Sequence, residues 1–280
     1  MLYTGVKNKL YTGDSMNRFF FIDYDNTIFS HRTGSTPESA LNALVRLKQS
    51  GHKVFISSGR SFRGDLSDIF VHRFTPDGLV SANGAIVEAE GKVLRDACFP
   101  PEIQRRLFDF VLEKDYCLMA NYRNTWCTSS LHRFLSRPDA PEAPGLPLGR
   151  EVFLQLYDKP LTSLFLEEDR EAMMDIEQHF PELKLLRMSD EAGGADIVLR
   201  ENSKANGIRR VLDYYHAVPS DAVAIGDSMN DLEMIQFAGL GIAMGNAMQA
   251  VREAADYVAK DIDEDGLWDA VDYALRQDKP

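Results

Sequence analysis

The sequence has few cysteines and no long apolar run. Its three cysteines are Cys98, Cys117 and Cys127; they form no C-x-x-C pair, and no histidine lies near them at the spacing of zinc ligands. This pattern gives no support for a disulfide framework or a zinc site, and reduced cysteines are typical of a cytoplasmic protein. No stretch approaches the roughly 20 apolar residues that a membrane-spanning helix needs, so we expect no membrane partner.

Positive charge is also scarce. The chain has 31 lysine and arginine residues against 43 aspartate and glutamate residues, a formal net charge of −12 at pH 7. Such a field repels the phosphate backbone of nucleic acids, so a nucleic-acid partner is not expected. An anionic small substrate remains compatible with this charge, provided that its site supplies a metal, a lysine or a helix N-terminus.

What is present is the composition of an ordinary globular protein. Hydrophobic residues make up 44% of 280 residues, which is enough for a sizeable core and about two domains. Two segments are expected to lack regular structure. Residues 1–16 contain no signal-peptide h-region and repeat LYTG, which suggests a leader that is non-native or lies upstream of a native start at Met16. Residues 136–149 carry four prolines and two glycines, which mark a loop.

Short apolar runs alternate with helical patterns at both ends of the chain. FFFID at 19–23, KVFIS at 53–57 and AVAIG at 222–226 are typical of parallel strands buried on both faces. Between the first two, apolar residues recur at helical spacing from Pro37, and Gly51 supplies a stop. This alternation predicts an α/β fold with a doubly wound parallel sheet.

The middle of the chain follows a different pattern. VFLQLY at 152–157 and SLFLE at 163–167 are strand-like, and amphipathic helical patterns lie on either side of them. We therefore predict an α+β domain at 86–194, inserted into a discontinuous core made of residues 17–85 and 195–280.

The strongest chemical signal is an acidic pair at the end of the first predicted strand. Asp23 and Asp25 flank Tyr24 directly after FFFI, and ligands of open α/β sheets bind outside the carboxyl ends of the strands. Two carboxylates so close can differ in pKa, so that one is ionised as nucleophile or metal ligand while the other holds a proton. The alternative is a simple turn in which Asp25 or Asn26 caps a loop.

Three further segments add polar groups at comparable places. SSGR at 57–60 can hold phosphate oxygens, although Ser-Ser-Gly is more often a plain turn. Lys204 follows a predicted cap at Ser203 and can neutralise an anion, although most exposed lysines are merely solvated. GDSMND at 226–231 follows an apolar strand, and carboxylates on two strand ends are a common way to hold Mg²⁺. The joint occurrence of these segments is stronger evidence for a phosphate and metal site than any one of them alone.

In order and spacing, these motifs resemble the haloacid dehalogenase (HAD) superfamily, specifically its Cof-type sugar-phosphate phosphatases. The resemblance rests on FIDYDNT, ISSGR, SANGA, SKANGI and AIGDSMNDLEM, at 21–27, 56–60, 81–85, 203–208 and 224–234. It implies a Rossmann-like core, an α+β cap domain inserted after SANGA, Mg²⁺ as cofactor and a small phosphorylated metabolite as substrate. The chain is then a phosphatase acting through an aspartyl phosphate, as a monomer or homodimer.

The resemblance also implies a role for each matching residue. Asp23 looks like the nucleophile, Asp25 like the general acid and base, and Lys204 like the group that offsets their charge. Metal binding falls to Asp227, to the Asp23 side chain, to the Asp25 backbone carbonyl, and to Asp231 through a metal-bound water.

A second group of residues is expected to bind phosphate or substrate: Ser58, Gly59, Arg60, Asn83 and Asn230. For Arg60 and Asn83 two roles are open, contact with the substrate and structural support of the site. Asn26 stands where the family usually has Gly, and Ser58 where it commonly has Thr; neither change removes a catalytic group.

Two alternatives to a hydrolase stay open. A sugar phosphomutase shares the aspartyl-phosphate intermediate, and a non-catalytic phosphometabolite sensor keeps the fold for binding only. Three other signals carry less weight: a partial calcium-loop pattern from Asp261 to Asp272, glycines at 239–245 that miss a dinucleotide fingerprint, and Trp126, which faces either the substrate or the core of the cap.

Overall fold

The computed structural model describes residues 18–277 except 63–65, 67–68, 123–124, 137–146 and 188–193. The predicted leader at 1–16 and most of the proline-rich segment at 136–149 lie outside the described residues.

Thirteen strands are found in the described part of the chain: β1 (Phe19–Asp23), β2 (Lys53–Ser57), β3 (Gly78–Ser81), β4 (Ile86–Ala89), β5 (Lys92–Asp96), β6 (Leu118–Tyr122), β7 (Thr125–Thr128), β8 (Leu164–Leu166), β9 (Leu183–Arg187), β10 (Ala195–Leu199), β11 (Ala222–Gly226), β12 (Leu240–Ala243) and β13 (Tyr257–Val258).

The described helices are α1 (Glu38–Gln49), α2 (Pro101–Glu113), α3 (Leu131–Leu135), α4 (Arg150–Leu154), α5 (Arg170–His179), α6 (Lys204–Tyr215), α7 (Leu232–Phe237), α8 (Gln249–Ala254) and α9 (Gly266–Gln277). Short 3₁₀ helices lie at Ala82–Gly84, Pro219–Asp221 and Ile262–Glu264.

Eight strands form a larger sheet in the order β13-β12-β11-β1-β2-β3-β4-β5. All pairings up to β3 are parallel, and β4 and β5 extend the sheet as antiparallel strands. From β1 the successive strands β2 and β3 are added on one side, whereas β11, β12 and β13 are added on the other side. The direction in which strands are added therefore reverses between β1 and β11. In open α/β sheets such a reversal leaves a crevice at the carboxyl ends of the strands.

A smaller sheet contains the remaining five strands in the order β7-β6-β8-β10-β9, and its pairings are antiparallel. It has its own hydrophobic core, in which Phe108 and Phe153 stack at 4.4 Å between ring centroids. The strands of the smaller sheet lie in sequence between β5 and β11. The larger sheet, which is parallel from β13 to β3, confirms the predicted α/β class.

The strands predicted at 19–23, 53–57 and 222–226 have those bounds in the structure. Their residues are almost entirely buried, as expected for parallel strands covered on both faces. The predicted cap at Ser203 is also confirmed, because its hydroxyl accepts a hydrogen bond from the backbone nitrogen of Asn206.

The strand predicted at 152–157 is wrong. Its first half lies in α4, and the chain then turns. Phe153 and Leu156, three residues apart, are buried, whereas Leu154 is 43% exposed. A short apolar run does not by itself distinguish a strand from a buried helix, and here packing on the smaller sheet's core favours the helix.

The predicted domain boundaries do not coincide with the division between the sheets. β4 and β5 fall inside the predicted insertion but pair with the larger sheet, because they continue from β3 as antiparallel neighbours. β10 falls inside the predicted core but pairs with β8 and β9 in the smaller sheet. The sheets therefore divide between β5 and β6 and again between β10 and β11.

The start of α6 packs closely on the segment after β3. Gly84 has a φ of +84°, and a Cβ there would lie 2.2 Å from the carbonyl oxygen of Ser203. A Cβ on Gly207 would lie 2.4 Å from a methyl carbon of Val80. Because both positions are glycine, the helix can approach this closely and carry Lys204 to the carboxyl ends of the central strands.

Candidate active site

Three buried carboxylates meet where the strand order reverses. Asp23 ends β1, and Asp227 and Asp231 lie in the loop after β11. One carboxylate oxygen from each lies within 4.8 Å of the others. Oxygen ligands of this kind are the ones that hard divalent cations such as Mg²⁺ and Ca²⁺ prefer.

Lys204 lies between two of these carboxylates. Its Nζ is 2.5 Å from Oδ1 of Asp23 and 2.6 Å from Oδ1 of Asp231, and its side chain is fully buried. Burial alone would lower the pKa of Lys204, but the two carboxylates raise it above its usual value, so the ammonium group is charged.

One lysine does not neutralise the three acids. Burial, followed by repulsion from Asp231, raises the pKa of Asp23 well above its usual value despite Lys204. The same two causes raise the pKa of Asp227 to about 7. A cation beside Asp23 and Asp227 would relieve this repulsion, so the donor set and its charge fit a divalent metal ion.

Asp231, unlike Asp227, is held by Lys204 and by the backbone. Its Oδ1 accepts from Lys204, and its Oδ2 accepts from the backbone nitrogens of Asp227 and Ser228 at 2.9 and 3.0 Å. Both oxygens therefore have protein donors, and the side chain fixes the loop that carries Asp227.

Asp25 lies at the mouth of the site and is paired with Arg60 and His31. Its carboxylate accepts from Nε and Nη2 of Arg60 at 2.9 and 2.7 Å, and its Oδ1 lies 2.7 Å from Nε2 of His31. Burial alone would raise the pKa of Asp25, but the hydrogen bonds from His31 and Arg60 lower it to about 2. In this arrangement Asp25 is ionised at neutral pH.

The SSGR segment contributes to the site through both backbone and side chains. Ser58 is fully buried, its Oγ accepts from the backbone nitrogen of Arg60 at 3.1 Å, and its carbonyl oxygen accepts from the backbone nitrogen of Asn83 at 3.1 Å. Gly59 and Arg60 line the cavity described below, whereas Ser58 lies behind them.

Asn83 connects two other side chains. Its Nδ2 donates to Oδ2 of Asp196 at 2.7 Å, and its Oδ1 accepts from Nδ2 of Asn230 at 3.1 Å. Asn83 is 1% exposed and has a φ of +51°, a backbone conformation that asparagine tolerates better than most residues. Of its two predicted roles, these contacts favour structural support.

A cavity of about 640 Å³ opens above these groups. Both sheets contribute to its lining. The larger sheet's side includes Asp23, Asp25, His31, Gly59, Arg60, Ser228 and Asn230, and the smaller sheet's side includes Asn121, Trp126, Ser163, Phe165 and Asp196. The volume suits a small-molecule ligand.

Among the predicted site residues, Asp23, Asp25, Gly59, Arg60 and Asn230 line the cavity. Lys204, Asp227 and Asp231 cluster with Asp23, and Ser58 and Asn83 are buried next to the lining.

His31, Ser163 and Asp196 are among the lining residues that the sequence does not single out as site candidates. His31 carried a weak signal, lying six positions after Asp25, and a tight turn returns it to that carboxylate. Asp196 carried none, because it sits within an apolar strand far from the motifs. Trp126, which the sequence predicts to face either the substrate or the core of the cap, is 45% exposed and lines the cavity.

Acidic residues of the partial calcium-loop pattern form ion pairs with arginines. Asp261 and Asp263 both contact the guanidinium group of Arg32, and Asp272 contacts Arg46. Asp261 also caps the 3₁₀ helix that follows it. These acids are thus balanced by arginines.

None of the described helices combines the length and apolar character that crossing a bilayer requires.

Comparison with known proteins identifies the family of this chain. The model of the haloacid dehalogenase-like hydrolases matches residues 20–271. "Putative phosphatase YkrA" of Bacillus subtilis is 32% identical over 266 residues, which cover 91% of this chain and 96% of YkrA.

Solved structures are similar as well. BT1666 of Bacteroides thetaiotaomicron, described among phosphatases of the HAD enzyme superfamily, superposes with a TM-score of 0.78 at 26% identity, covering 99% of both chains. The HAD subclass IIB sugar phosphatase BT4131 gives a TM-score of 0.76 at 24% identity, covering 92% of this chain and 99% of BT4131, a likeness of fold.

Proposed function

The chain belongs to the haloacid dehalogenase-like hydrolases, and on that premise we propose that this phosphoric monoester hydrolase uses Mg²⁺ and Asp23 to release phosphate from a small sugar phosphate. The observation that carries the proposal is the contact of buried Lys204 with Asp23 beside a second buried carboxylate, Asp227, whose pKa stays raised despite Lys204. The proposal specifies the substrate, the cofactor and the residue roles.

Asp23 is suited to be the nucleophile because it combines a fixed position with access to the cavity. Lys204 holds Oδ1, which leaves Oδ2 without a hydrogen-bond partner among the described residues. In the first step an Asp23 oxygen bonds to phosphorus, the bond to the leaving oxygen breaks, and the leaving alcohol takes a proton. In the second step water attacks phosphorus, phosphate departs and the Asp23 carboxylate is restored.

The metal ligands proposed here are the side chains of Asp23 and Asp227 together with the backbone carbonyl of Asp25. A bound Mg²⁺ would supply neutralisation of the charge on the transferred phosphoryl group. Asp231 is proposed to act on the metal only through water, because both of its oxygens already have protein donors. Lys204 supplies positive charge directly to Oδ1 of Asp23.

Asp25 is proposed as the general acid and then the general base. A carboxylate held by Arg60 and His31 is a poor proton donor, so this role requires those contacts to be released. Arg60 has a reason to leave, because the phosphate of an entering substrate competes for its guanidinium group. Gly59 and Asn230 border the same space.

The test is the Asp23→Asn variant, which keeps the shape of the side chain and removes its nucleophilicity. We expect release of phosphate from p-nitrophenyl phosphate in Mg²⁺ to fall by at least about 10³-fold. Asp158→Asn, a change at a side chain that is 72% exposed, is the matched control and should retain activity.

Turnover by Asp23→Asn comparable to that of the parent protein would remove Asp23 from this role. Product analysis with a sugar phosphate separates hydrolysis, which yields free phosphate, from a mutase reaction, which yields an isomer. Absence of Mg²⁺-dependent turnover with every phosphomonoester would favour a sensor.

A further inference from the structure

Asp196 is a buried carboxylate that the smaller sheet brings into the catalytic cavity. It is the second residue of β10, is 8% exposed and lines the same cavity as Asp23. Its Oδ2 accepts from the Asn83 amide at 2.7 Å. The proposed reaction gives this side chain no task.

The carboxylate is held by the Asn83 amide, and its Oδ2 lies close to Gly59. Asn83 donates to it while accepting from Asn230, so the orientation of the Asn83 amide is fixed at both ends. Gly59 leaves room for the same oxygen, since a Cβ at position 59 would lie 2.6 Å from Oδ2 of Asp196. A position specified this closely is typical of a group that recognises a ligand.

The partners of Asp196 do not neutralise it. Its hydrogen bond within the described residues comes from the Asn83 amide, and burial raises its pKa to about 6, only partly offset by Asn83 and Lys204. A carboxylate in this setting repels phosphoryl oxygens and accepts hydrogen bonds from neutral hydroxyl groups. This part of the cavity therefore suits the alcohol portion of a phosphomonoester.

The neighbouring lining has matching chemistry. Asn121 and Ser163 offer polar groups, and Trp126 and Phe165 offer aromatic surface. A small number of placed polar groups among aromatic side chains is the usual composition of a small-molecule pocket.

We propose that Asp196 accepts a hydrogen bond from a hydroxyl group of the leaving alcohol and so selects polyhydroxylated phosphomonoesters. This inference rests on the proposed phosphatase function. Asp196 is then a specificity-determining residue that touches substrate.

The test is a cycle between one protein change and one substrate change. Asp196→Asn and the parent protein are assayed in Mg²⁺ at pH 7.5 with glucose 6-phosphate, ribose 5-phosphate, their 2-deoxy and 3-deoxy analogues, and p-nitrophenyl phosphate. In the parent protein, removing the recognised hydroxyl should lower kcat/KM at least about tenfold, as for a hydrogen bond to a charged group. In Asp196→Asn that penalty should largely disappear, and the preference for sugar phosphate over p-nitrophenyl phosphate should fall by a similar factor.

Two outcomes overturn the inference. If Asp196→Asn lowers kcat/KM for all substrates by the same factor, Asp196 only positions Asn83 and Asn230. If the parent protein hydrolyses p-nitrophenyl phosphate and the loss of each tested hydroxyl leaves its kcat/KM unchanged, no hydroxyl is recognised at Asp196. This second outcome is measured on the parent protein alone and does not depend on the folding of a variant. A parent protein that hydrolyses none of the phosphomonoesters instead refutes the proposed function and removes this inference with it. Asp158→Asn is the control and should keep the parent's substrate ratios.

Discussion

Nζ of Lys204 lies 2.5 Å from Oδ1 of Asp23, and the two side chains are 0% and 6% exposed. The residues are 181 positions apart in the chain. A buried ion pair of this kind is costly to break from one side, because the remaining charge is left without a partner in a poorly solvated place. This relationship makes the site testable by stability as well as by activity.

Replacing Lys204 with methionine should destabilise the protein by about 3–5 kcal/mol, because Asp23 and Asp231 would lose their shared cation. Urea unfolding in EDTA measures this change without a contribution from bound metal. The exposed Lys159 provides the control, and Lys159→Met should stay within about 0.5 kcal/mol of the parent. Equal stability of Lys204→Met and the parent would contradict the ionic role given to Lys204.

Removal of divalent metal should abolish phosphatase activity and lower the melting temperature. Asp23 and Asp227 repel each other across a short distance, and a bound cation relieves that repulsion. Mg²⁺ at about 100 times its Kd should stabilise the fold by about 2.7 kcal/mol. Calorimetry with and without Mg²⁺ measures this effect.

Asp227→Asn is the companion variant for the metal experiment. It should need a higher Mg²⁺ concentration for half-maximal activity and show a much smaller rise in melting temperature. A full response of Asp227→Asn to Mg²⁺ would argue against Asp227 as a ligand.

Asp196 should make stability depend on pH. Burial raises its pKa from 3.8 to about 6, so the folded protein binds this proton more tightly than the unfolded chain does. The stabilisation from this proton is complete below about pH 4 and is lost as the pH rises through 6. This difference in pKa between the folded and unfolded protein corresponds to about 3 kcal/mol.

Asp196→Asn should consequently stabilise the protein by up to about 3 kcal/mol at pH 7.5, with the gain shrinking as the pH approaches 4. Thermal unfolding in EDTA across this range checks the sign. Asp158→Asn should show no comparable trend, and a gain that grew as the pH fell would reverse the argument.

Gly59→Ala should damage the site. Its new Cβ would lie 2.6 Å from Oδ2 of Asp196 and 3.3 Å from Nδ2 of Asn230, so the Asp196–Asn83 contact has to shift. We expect a cost of about 1–3 kcal/mol, as for other overpacked positions, together with a fall in kcat/KM for sugar phosphates.

Gly149→Ala is the matched control, because among the described residues its Cβ would meet only Leu131, at 3.8 Å. That change should cost less than about 1 kcal/mol and leave kinetics unaltered. If both alanine variants behave alike, the space beside Gly59 is not restricted by Asp196.

Local pattern predicted much of the core. The strands at 19–23 and 222–226 were readable because a parallel strand buried on both faces requires a continuous apolar run. The run at 152–157 was misread because a short apolar stretch packs equally well as helix or strand, and only its neighbours decide. The sheet assignment of β10 likewise depends on its pairing with β8 and β9.

The order of residues is enough to predict which acids stand at strand ends, since a residue that directly follows a strand is carried to the sheet edge by chain connectivity. Which charges meet depends on how the two sheets and their loops pack. This packing put Arg60 and His31 on Asp25, left Asp227 without an equivalent cation among the described residues, and brought Asp196 from the smaller sheet to Asn83. Charge interactions act through space over a few ångströms, and the spacing of residues along a chain does not specify those distances.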